Sequence, residues 1–389
     1  MKPYNIITYI FWINFIVFIV INRHFLNHHR YYTIKNKKKQ HKYKRTLNYI
    51  YLIKKVGDKL YILTKSVLAM MISFIISIII GFLLVPVLKK LHVSQRISIY
   101  VSNMHKNKNG TPTMGGLIFI IAVIITIILL FILKKINLNY NFLIIIFTFI
   151  SYSIIGFIDD FLIIKRKNNK GLTELQKLFL QIIVAIIFFY LFMLADNEPI
   201  LWIKFLKIRI SMGWSYGLFI LFVLVSSSNA VNITDGLDGL ASGLSIIAFL
   251  SFGILTWSSG WLDGYQEIAI FCFILIGSLL GFLVFNLNPA KVFMGDTGSL
   301  ALGATLGAIA IVTRYEFLLI LIGIVFVLET SSCIIQIIYY KLTKKRFFPM
   351  TPIHHSFEKM GWNERDIVKL FWIIGLIANM LALIFFVWL

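Results

Sequence analysis

The chain has 389 residues, of which 59% are hydrophobic and 14% are charged. A soluble core cannot bury this much apolar surface, so the composition excludes a soluble globular protein and indicates a polytopic membrane protein. The formal net charge of +22 suits contact with anionic lipid headgroups and phosphates. Nucleic acid is not an expected partner, because the positive charge is spread over loops between apolar runs.

Ten apolar runs along the chain are each long enough to cross the hydrocarbon as a helix. The predicted spans are 66–88, 113–133, 141–158, 174–194, 216–231, 239–257, 266–285, 298–313, 317–339 and 367–388. We therefore predict an all-α polytopic membrane protein, with about ten transmembrane helices over residues 66–389.

A basic extension over residues 1–65 precedes these spans. It contains an apolar run from Ile6 to Ile21 and a basic tract from Lys35 to Arg45, and it has no catalytic pattern. We expect a disordered or surface-bound tail; the alternatives are a signal-like or extra membrane segment and sequence upstream of a later translation start near Leu47.

The charged loops predict the orientation of the chain. Loops that follow odd-numbered spans contain sixteen lysines and arginines, whereas loops that follow even-numbered spans contain six. The positive-inside bias therefore places the odd-numbered loops in the cytoplasm.

Five aspartates lie at the ends of spans on this same, cytoplasmic side: Asp159, Asp160, Asp235, Asp238 and Asp296. Such a cluster repels itself unless a cation is present, and a divalent metal with a phosphorylated substrate fits this requirement. We expect Lys170, which follows Asp160 in the same loop, to contact phosphate.

The first cytoplasmic loop ends in Lys108-Asn-Gly-Thr111-Pro-Thr-Met-Gly-Gly. Its lysine provides a cation, its threonines provide hydroxyls, and its glycines allow backbone to approach a ligand or a neighbouring helix. The alternative is a structural loop followed by a small-residue helix contact.

The stretch from Asn229 to Gly239 is the most specific in the chain. Three-residue spacings place Asn229, Asn232, Asp235 and Asp238 on one side if the segment is helical, whereas its glycines favour a turn. These side chains carry the hard oxygen donors that Mg²⁺ prefers.

The loop after the seventh span contains Asn286, Phe293 and Asp296. Asp296 precedes a helix rich in small residues, so it is either a metal ligand or a helix N-cap. The ring of Phe293 is available to stack on a planar base.

The last cytoplasmic loop contains His354 and His355, which are candidates for phosphate binding, proton transfer or metal binding. Glu329 lies within the ninth predicted span. An intramembrane carboxylate is either functional or paired near a helix break.

Taken together, these segments resemble the phospho-N-acetylmuramoyl-pentapeptide transferase family over about residues 50–389. The resemblance is carried by five segments in the family's order: Thr111-Pro-Thr-Met-Gly-Gly, Asp159-Asp160, Asn229 to Gly239, Phe293-Met-Gly-Asp296 and Pro352-Ile-His-His.

The resemblance implies that UDP-N-acetylmuramoyl-pentapeptide and undecaprenyl phosphate react to give lipid I and UMP, with Mg²⁺ required. It also implies a multi-pass protein of the bacterial plasma membrane with a cytoplasmic active site, and homodimerisation. The alternative is a UDP-N-acetylglucosamine:polyprenyl-phosphate transferase with the same chemistry. A cation-coupled transporter is a weaker alternative, because nearly all acids lie at span ends.

The resemblance also implies roles for individual residues. Asp296, helped by Asp235, would bind the metal, and Asp159 and Asp160 would orient or deprotonate the nucleophile. The uridine side would be lined by Asn232, Asp235, Asp238, Asn286 and Phe293. The phosphates would be contacted by Lys108, Lys170 and His354. The chain departs from the family at Ser356, where a third histidine is usual.

Overall fold

The structure is a computed structural model that describes residues 37–91, 110–166, 171–203, 206–258, 262 and 264–388, with side chains from residue 61 to residue 385. Within these ranges the chain forms twelve α-helices and one two-stranded sheet. One compact unit, Lys59–Leu389, contains every element described below except the N-terminal part of the first helix.

Most helices follow one another with short connections, and the longer ones are residues 91–115 and 195–215. In chain order they are α1 (Lys37–Lys90), α2 (Gly116–Ile132), α3 (Tyr140–Arg166), α4 (Glu174–Leu194), α5 (Tyr216–Thr234), α6 (Leu240–Ser258), α7 (Tyr265–Asn286), α8 (Asp296–Thr313), α9 (Glu316–Ile322), α10 (Ile324–Thr343), α11 (Ile353–Lys359) and α12 (Glu364–Trp388). Strands β1 (Ile200–Ile203) and β2 (Ile208–Ser211) form an antiparallel hairpin between α4 and α5.

The structure confirms the predicted fold class. Nine of the described helices are long and apolar enough to cross a membrane, and α2 is a shorter apolar helix. The predicted run at 6–21 lies outside the described residues. Helix α1 already begins at Lys37, so most of the basic tract in the extension is helical.

Helices α7 and α8 are almost completely buried and form the centre of the bundle. Small side chains let neighbouring helices approach them closely, as is typical of membrane helix packing. The Ser77 hydroxyl of α1 donates to the Ser278 carbonyl of α7 at 2.7 Å. A Cβ added to Gly277 would lie 2.0 Å from the Met70 carbonyl oxygen, so only glycine fits this crossing.

Two predicted spans differ from the observed helices. The third span was predicted to end at residue 158, but α3 continues to Arg166, so Asp159 and Asp160 lie within a helix. The ninth predicted span is broken at Gly323 into α9 and α10. Asn379 of α12 donates to the Ile322 carbonyl at 2.8 Å, which satisfies a backbone group at this break.

Gly156 brings α3 onto the beginning of α8. A Cβ at this position would lie 2.1 Å from the Asp296 carbonyl oxygen, which belongs to backbone and cannot rotate away. The two helices therefore cross at a contact that excludes every side chain larger than hydrogen.

We predict that Gly156→Ala destabilises the protein. Alanine gains about 1 kcal/mol of helix propensity over glycine, but separating the two backbones costs about 1–3 kcal/mol. The apparent melting temperature in detergent should therefore fall. In the control, Gly217→Ala, the atoms nearest to the new Cβ belong to the Phe189 side chain, at 3.3 Å, so the melting temperature should stay the same or rise slightly. Equal melting temperatures for the two variants would contradict this account.

Candidate active site

The aspartates meet at one end of the bundle, as the span pattern predicted. Asp159 and Asp296 lie close enough to Lys177 to share its ammonium group. Asp235 is close enough to Asp160, Asp238 and Asp296 to be affected by their charges. Three separate segments of the sequence therefore contribute carboxylates to one site.

Lys177 of α4 joins α3 to α8 across this site. Its Nζ lies 2.7 Å from Asp296 Oδ2 and 3.2 Å from Asp159 Oδ2. The other Asp159 oxygen, Oδ1, accepts a hydrogen bond from the Leu172 N–H at 2.7 Å. Gly171 passes directly over this carboxylate, since a Cβ there would lie 2.3 Å from Asp159 Oδ1. Asp159 is thus held at both oxygens.

Asp160 binds the N-terminus of α8. Its Oδ2 accepts hydrogen bonds from the Thr297 N–H at 2.9 Å and the Thr297 hydroxyl at 2.6 Å. Its Oδ1 accepts from the Asp296 N–H at 3.2 Å. These donors include N–H groups of the first turn of α8, which have no partner within the helix. Asp160 is buried, and in this arrangement it fixes the position of Asp296.

The side chain of Asp296 is oriented from a second direction by Asn232. The Asn232 amide donates to Asp296 Oδ1 at 2.8 Å and contacts the Ser299 hydroxyl at 2.9 Å. Asp296 therefore has one oxygen held by an amide and the other by an ammonium group, and its side chain stays partly exposed at 22%.

Asp235 follows α5 directly and is half-buried. Its burial, followed by the negative charges of Asp296, Asp160 and Asp238, raises its pKa to about 8, although a hydrogen bond from the Gly295 N–H opposes the shift. Burial is the larger cause of this shift, and the neighbouring carboxylates add to it because like charges disfavour the ionised form.

The loop that leads into α2 packs against the segment that precedes α8. Phe293 donates its N–H to the Pro112 carbonyl and accepts from the Gly115 N–H, both at 2.8 Å. Thr111 and the ring of Phe293 are half-buried at this junction. Two of the predicted motifs are therefore joined through backbone hydrogen bonds.

Several predicted substrate-binding residues bind the protein itself. Asp238 Oδ2 accepts hydrogen bonds from the Asn288 amide at 3.2 Å and the Ala290 N–H at 3.0 Å. Asn286 accepts from the Gly239 N–H at 3.2 Å and the Ser242 hydroxyl at 3.0 Å. The Asn229 amide donates to the Val225 carbonyl at 2.8 Å. Asp238 and Asn286 thus shape the loop between α7 and α8.

His354 is completely buried beside Glu329. Its Nδ1 lies 3.1 Å from Glu329 Oε2, without the alignment of a hydrogen bond, and its backbone N–H reaches the same oxygen at 3.4 Å. The ring packs against Gly236, where a Cβ would lie 2.4 Å from His354 Nε2. Glu329 is therefore paired, which was one of its two predicted roles.

His355 pairs with Glu358, whose Oε2 lies 2.6 Å from its Nδ1. The next residue, Ser356, is buried, and its hydroxyl accepts from the Met350 N–H at 3.2 Å and donates to the Met350 carbonyl. At this position, Ser356 closes the loop that leads into α11.

Lys177 was missing from the sequence predictions. The sequence contains a feature that could have identified it. Lys177 is a lone lysine one turn into an apolar span, at the end of the span where the loop pattern places the aspartates. Lys108 and Lys170, the cations predicted for this site, lie outside the described residues.

An apolar cavity of about 320 Å³ lies between α5, α8, α9 and α10. Phenylalanines from α5, α9 and α10 line it, and Gly323 at the helix break lies in its wall. Ala230 and Val231 line its other end, directly before Asn232, which contacts Asp296. The cavity thus extends through membrane-spanning helices towards the aspartates.

Comparison with known proteins identifies the family. Residues 142–314 match glycosyl transferase family 4, and residues 108–120 match signature 1 of phospho-N-acetylmuramoyl-pentapeptide-transferase.

Relatives with the name phospho-N-acetylmuramoyl-pentapeptide-transferase align with most of the chain. The protein from Geobacillus thermodenitrificans is 44% identical over 83% of this chain and 98% of its own length. A Staphylococcus epidermidis relative is 48% identical over 82% of this chain and 97% of its own length. A Listeria welshimeri relative is 45% identical over 80% and 95%, respectively. With identity at this level over nearly their whole length, the chain belongs to the phospho-N-acetylmuramoyl-pentapeptide-transferase family.

Proposed function

We propose that this protein transfers phospho-N-acetylmuramoyl-pentapeptide from its UDP-sugar to undecaprenyl phosphate, with lipid I and UMP as products. One observation carries the proposal: Lys177 bridges Asp159 and Asp296, and the wall of the apolar cavity reaches Val231, one residue before Asn232, which contacts Asp296. A membrane-surface site for phosphates beside a cavity for hydrocarbon suits one charged and one lipid-linked substrate.

We place the site on the cytoplasmic face of a bacterial plasma membrane. The relatives are bacterial proteins, and the excess of lysine and arginine in the odd-numbered loops supports this orientation. The UDP-sugar would then reach the aspartates from the cytoplasm, while the carrier remains in the bilayer.

The donor set fits Mg²⁺ as a cofactor. Among the described residues, no three His, Cys, Asp or Glu side chains form a complete ligand set. Mg²⁺ commonly uses only one or two carboxylates together with substrate phosphate and water. Asp296 and Asp235 would supply these carboxylates, and a bound cation would lower the pKa of Asp235, which burial and then the neighbouring carboxylates raise. When bound, Mg²⁺ would offset charge developing on the leaving UMP.

The residues of the chain would position the two substrates for in-line attack. An oxygen of undecaprenyl phosphate forms a bond to the sugar-linked phosphorus as the bond to the UMP oxygen breaks. Asp159, held at both oxygens, would orient this acceptor or take its remaining proton. Much of a phosphate monoester is already dianionic near neutral pH, so positioning contributes more than proton removal. A covalent intermediate on an aspartate is the alternative.

On the donor side, Asn232 and Phe293 would contact the uridine. The half-buried Phe293 ring is available for stacking on uracil. Lys108, Lys170 and His355 would contact phosphates or the sugar, and Thr111 lies in the adjoining loop. His354, predicted to contact phosphate, is completely buried, so it would act indirectly through its contacts with Gly236 and Glu329. Asp238 and Asn286 would act indirectly, by holding the loop that carries Phe293.

The reaction is tested with purified protein, UDP-N-acetylmuramoyl-pentapeptide, undecaprenyl phosphate and Mg²⁺, by measuring UMP and the lipid product with and without chelator. We expect both products, and we expect chelator to abolish them. Turnover of UDP-N-acetylglucosamine in place of the muramoyl donor would contradict the proposed substrate. Chelator-resistant turnover would contradict the proposed metal.

We predict that Asp159→Asn and Asp296→Asn each lower kcat by at least about 100-fold, because each removes a charge from the reacting centre. The matched control is Asp366→Asn, which changes an exposed aspartate paired only with Lys369. This control should keep its activity. Near-normal turnover in a folded Asp159→Asn or Asp296→Asn protein would refute the role of that residue.

We predict that Lys177→Met also lowers kcat by about 100-fold, since Asp159 and Asp296 then repel each other without a cation between them. Lys177→Arg keeps the charge and should recover part of the activity. Lys369→Met removes an exposed lysine and serves as the control. The measurement is the steady-state rate of the three variants at saturating donor. Equal rates for Lys177→Met and Lys369→Met would refute the role proposed for Lys177.

We predict that Ser356→Ala lowers the free energy of unfolding by about 1 kcal/mol, because a buried hydroxyl that bridges the Met350 backbone is lost. The control is Thr343→Val, which removes an exposed hydroxyl that donates to the Tyr339 carbonyl and accepts from the Lys345 N–H; water can replace both partners, so stability should change little. Thermal unfolding in detergent compares the two. An unchanged melting temperature for Ser356→Ala would show that the hydroxyl does not hold the histidine loop.

A further inference from the structure

The hairpin of β1 and β2 lies at the membrane surface opposite the aspartate cluster. Helix α4 carries Lys177 in its first turn and then runs for the length of a membrane crossing before it ends at Leu194. Only five residues separate Leu194 from β1, and β2 is followed almost directly by the span that begins at Gly213. The hairpin is therefore kept at the level of the bilayer interface by its short connections.

The strand register gives this hairpin one aliphatic face. Leu201 pairs with Ile210, and Ile203 pairs with Ile208, so these four side chains point to the same side of the sheet. Ile208 is 44% exposed and Ile210 is 45% exposed, whereas Leu201 and Ile203 are half-buried. An isolated two-stranded sheet with an uncovered aliphatic face is at best marginally stable in water.

The opposite face carries the polar side chains of the hairpin beside two apolar ones. Ser211 pairs with Ile200 and Arg209 pairs with Trp202, and the Arg209 guanidinium lies 4.4 Å from the centre of the Trp202 ring. Ser211 is exposed on the same side. The hairpin is therefore amphipathic, and its two faces suit two different environments.

Buried contacts hold the hairpin to the bundle. The Arg314 guanidinium donates to the Ile200 carbonyl at 2.9 Å and to the Glu198 carbonyl. Arg314 also donates to the Tyr216 hydroxyl at 3.1 Å, and this hydroxyl donates to Glu316 at 2.8 Å. These hydrogen bonds fix the hairpin to the bundle, so its aliphatic face cannot turn to pack against another part of the protein.

The neighbouring surface indicates what covers this face. Trp214, between β2 and α5, is 87% exposed, and Leu218 in the first turns of α5 is 71% exposed. Leu194 at the end of α4 is exposed as well. These side chains belong to membrane-spanning segments or their ends, where tryptophan is typical of the bilayer interface. The hairpin's aliphatic face continues this lipid-facing surface.

We propose that the hairpin is an interfacial membrane anchor: Leu201, Ile203, Ile208 and Ile210 insert among lipid acyl chains near the headgroups, while Arg209 and Ser211 face water. The anchor would fix the height and tilt of α4 and α5 in the bilayer. The inference depends on the membrane fold and is independent of the proposed reaction.

Spin labels at neighbouring strand positions test this proposal in the full chain, reconstituted in lipid nanodiscs. Ile210→Cys reports on the aliphatic face, and Ser211→Cys, the next residue in β2, reports on the polar face. Leu218→Cys is the lipid reference, and Met360→Cys, an exposed position in the loop after α11, is the water reference. Cys333→Ser removes the partly exposed native thiol, whereas Cys272 is buried and stays.

We expect the Ile210 label to collide with oxygen more than with a water-soluble nickel chelate, as the Leu218 label does. The Ser211 label should behave like the Met360 label. A water-like Ile210 label would overturn the proposal. An Ile210 label shielded from both reagents would also overturn it, because protein and not lipid would then cover the face.

A second measurement tests the depth. A fluorescent label at Ile210 should be quenched more by lipids with a nitroxide near the headgroup than by lipids with a nitroxide at the chain end. The reverse order would contradict an interfacial position. Both measurements are independent of turnover, so failure of the proposed function does not affect them.

Discussion

The site depends on the carboxylate of Asp160 at the N-terminus of α8. This buried side chain accepts hydrogen bonds from two backbone N–H groups and one hydroxyl in the first turn of that helix. A helix N-terminus carries partial positive charge, which makes a buried carboxylate tolerable there. Because Gly156 allows α3 to touch the Asp296 backbone, the same contact sets the position of Asp296 relative to Asp159.

The remaining negative charge is only partly balanced within the protein. Lys177 supplies one positive charge between Asp159 and Asp296, and Asp235 is left among like charges. A protein that keeps unpaired carboxylates at a membrane surface loses stability unless a ligand compensates them. This excess negative charge suits the binding of a divalent cation, and the cation would in turn bind the phosphates of a donor.

Polar contacts outside the cluster organise its periphery. Asp238 and Asn286 hold the loop before α8, and the backbone of Phe293 forms hydrogen bonds with the loop that leads into α2. Glu329 lies beside His354, whose ring packs against Gly236, and the Ser356 hydroxyl binds the Met350 backbone in the preceding loop. Motifs far apart in sequence are thereby joined into one rigid surface, with Asp159, Asp235 and Asp296 at its centre.

Sequence reasoning predicted the convergence of the aspartates because each pair of crossings returns the chain to the same face. It could not assign Asp160 to a helix N-terminus, since that contact joins residues 136 positions apart. The break at Gly323 was missed because apolar composition continues through it. Lys177 was missed because hydropathy alone cannot tell which neighbouring helix a side chain faces.

The central claim is that the cluster around Asp296 binds a divalent cation. The most direct measurement is a titration of the purified protein with Mn²⁺, a paramagnetic substitute for Mg²⁺, followed by EPR. The account predicts one saturable site that is lost in Asp296→Asn and kept in Asp366→Asn. Absence of a saturable site in the parent protein, or equal binding by both variants, would contradict it.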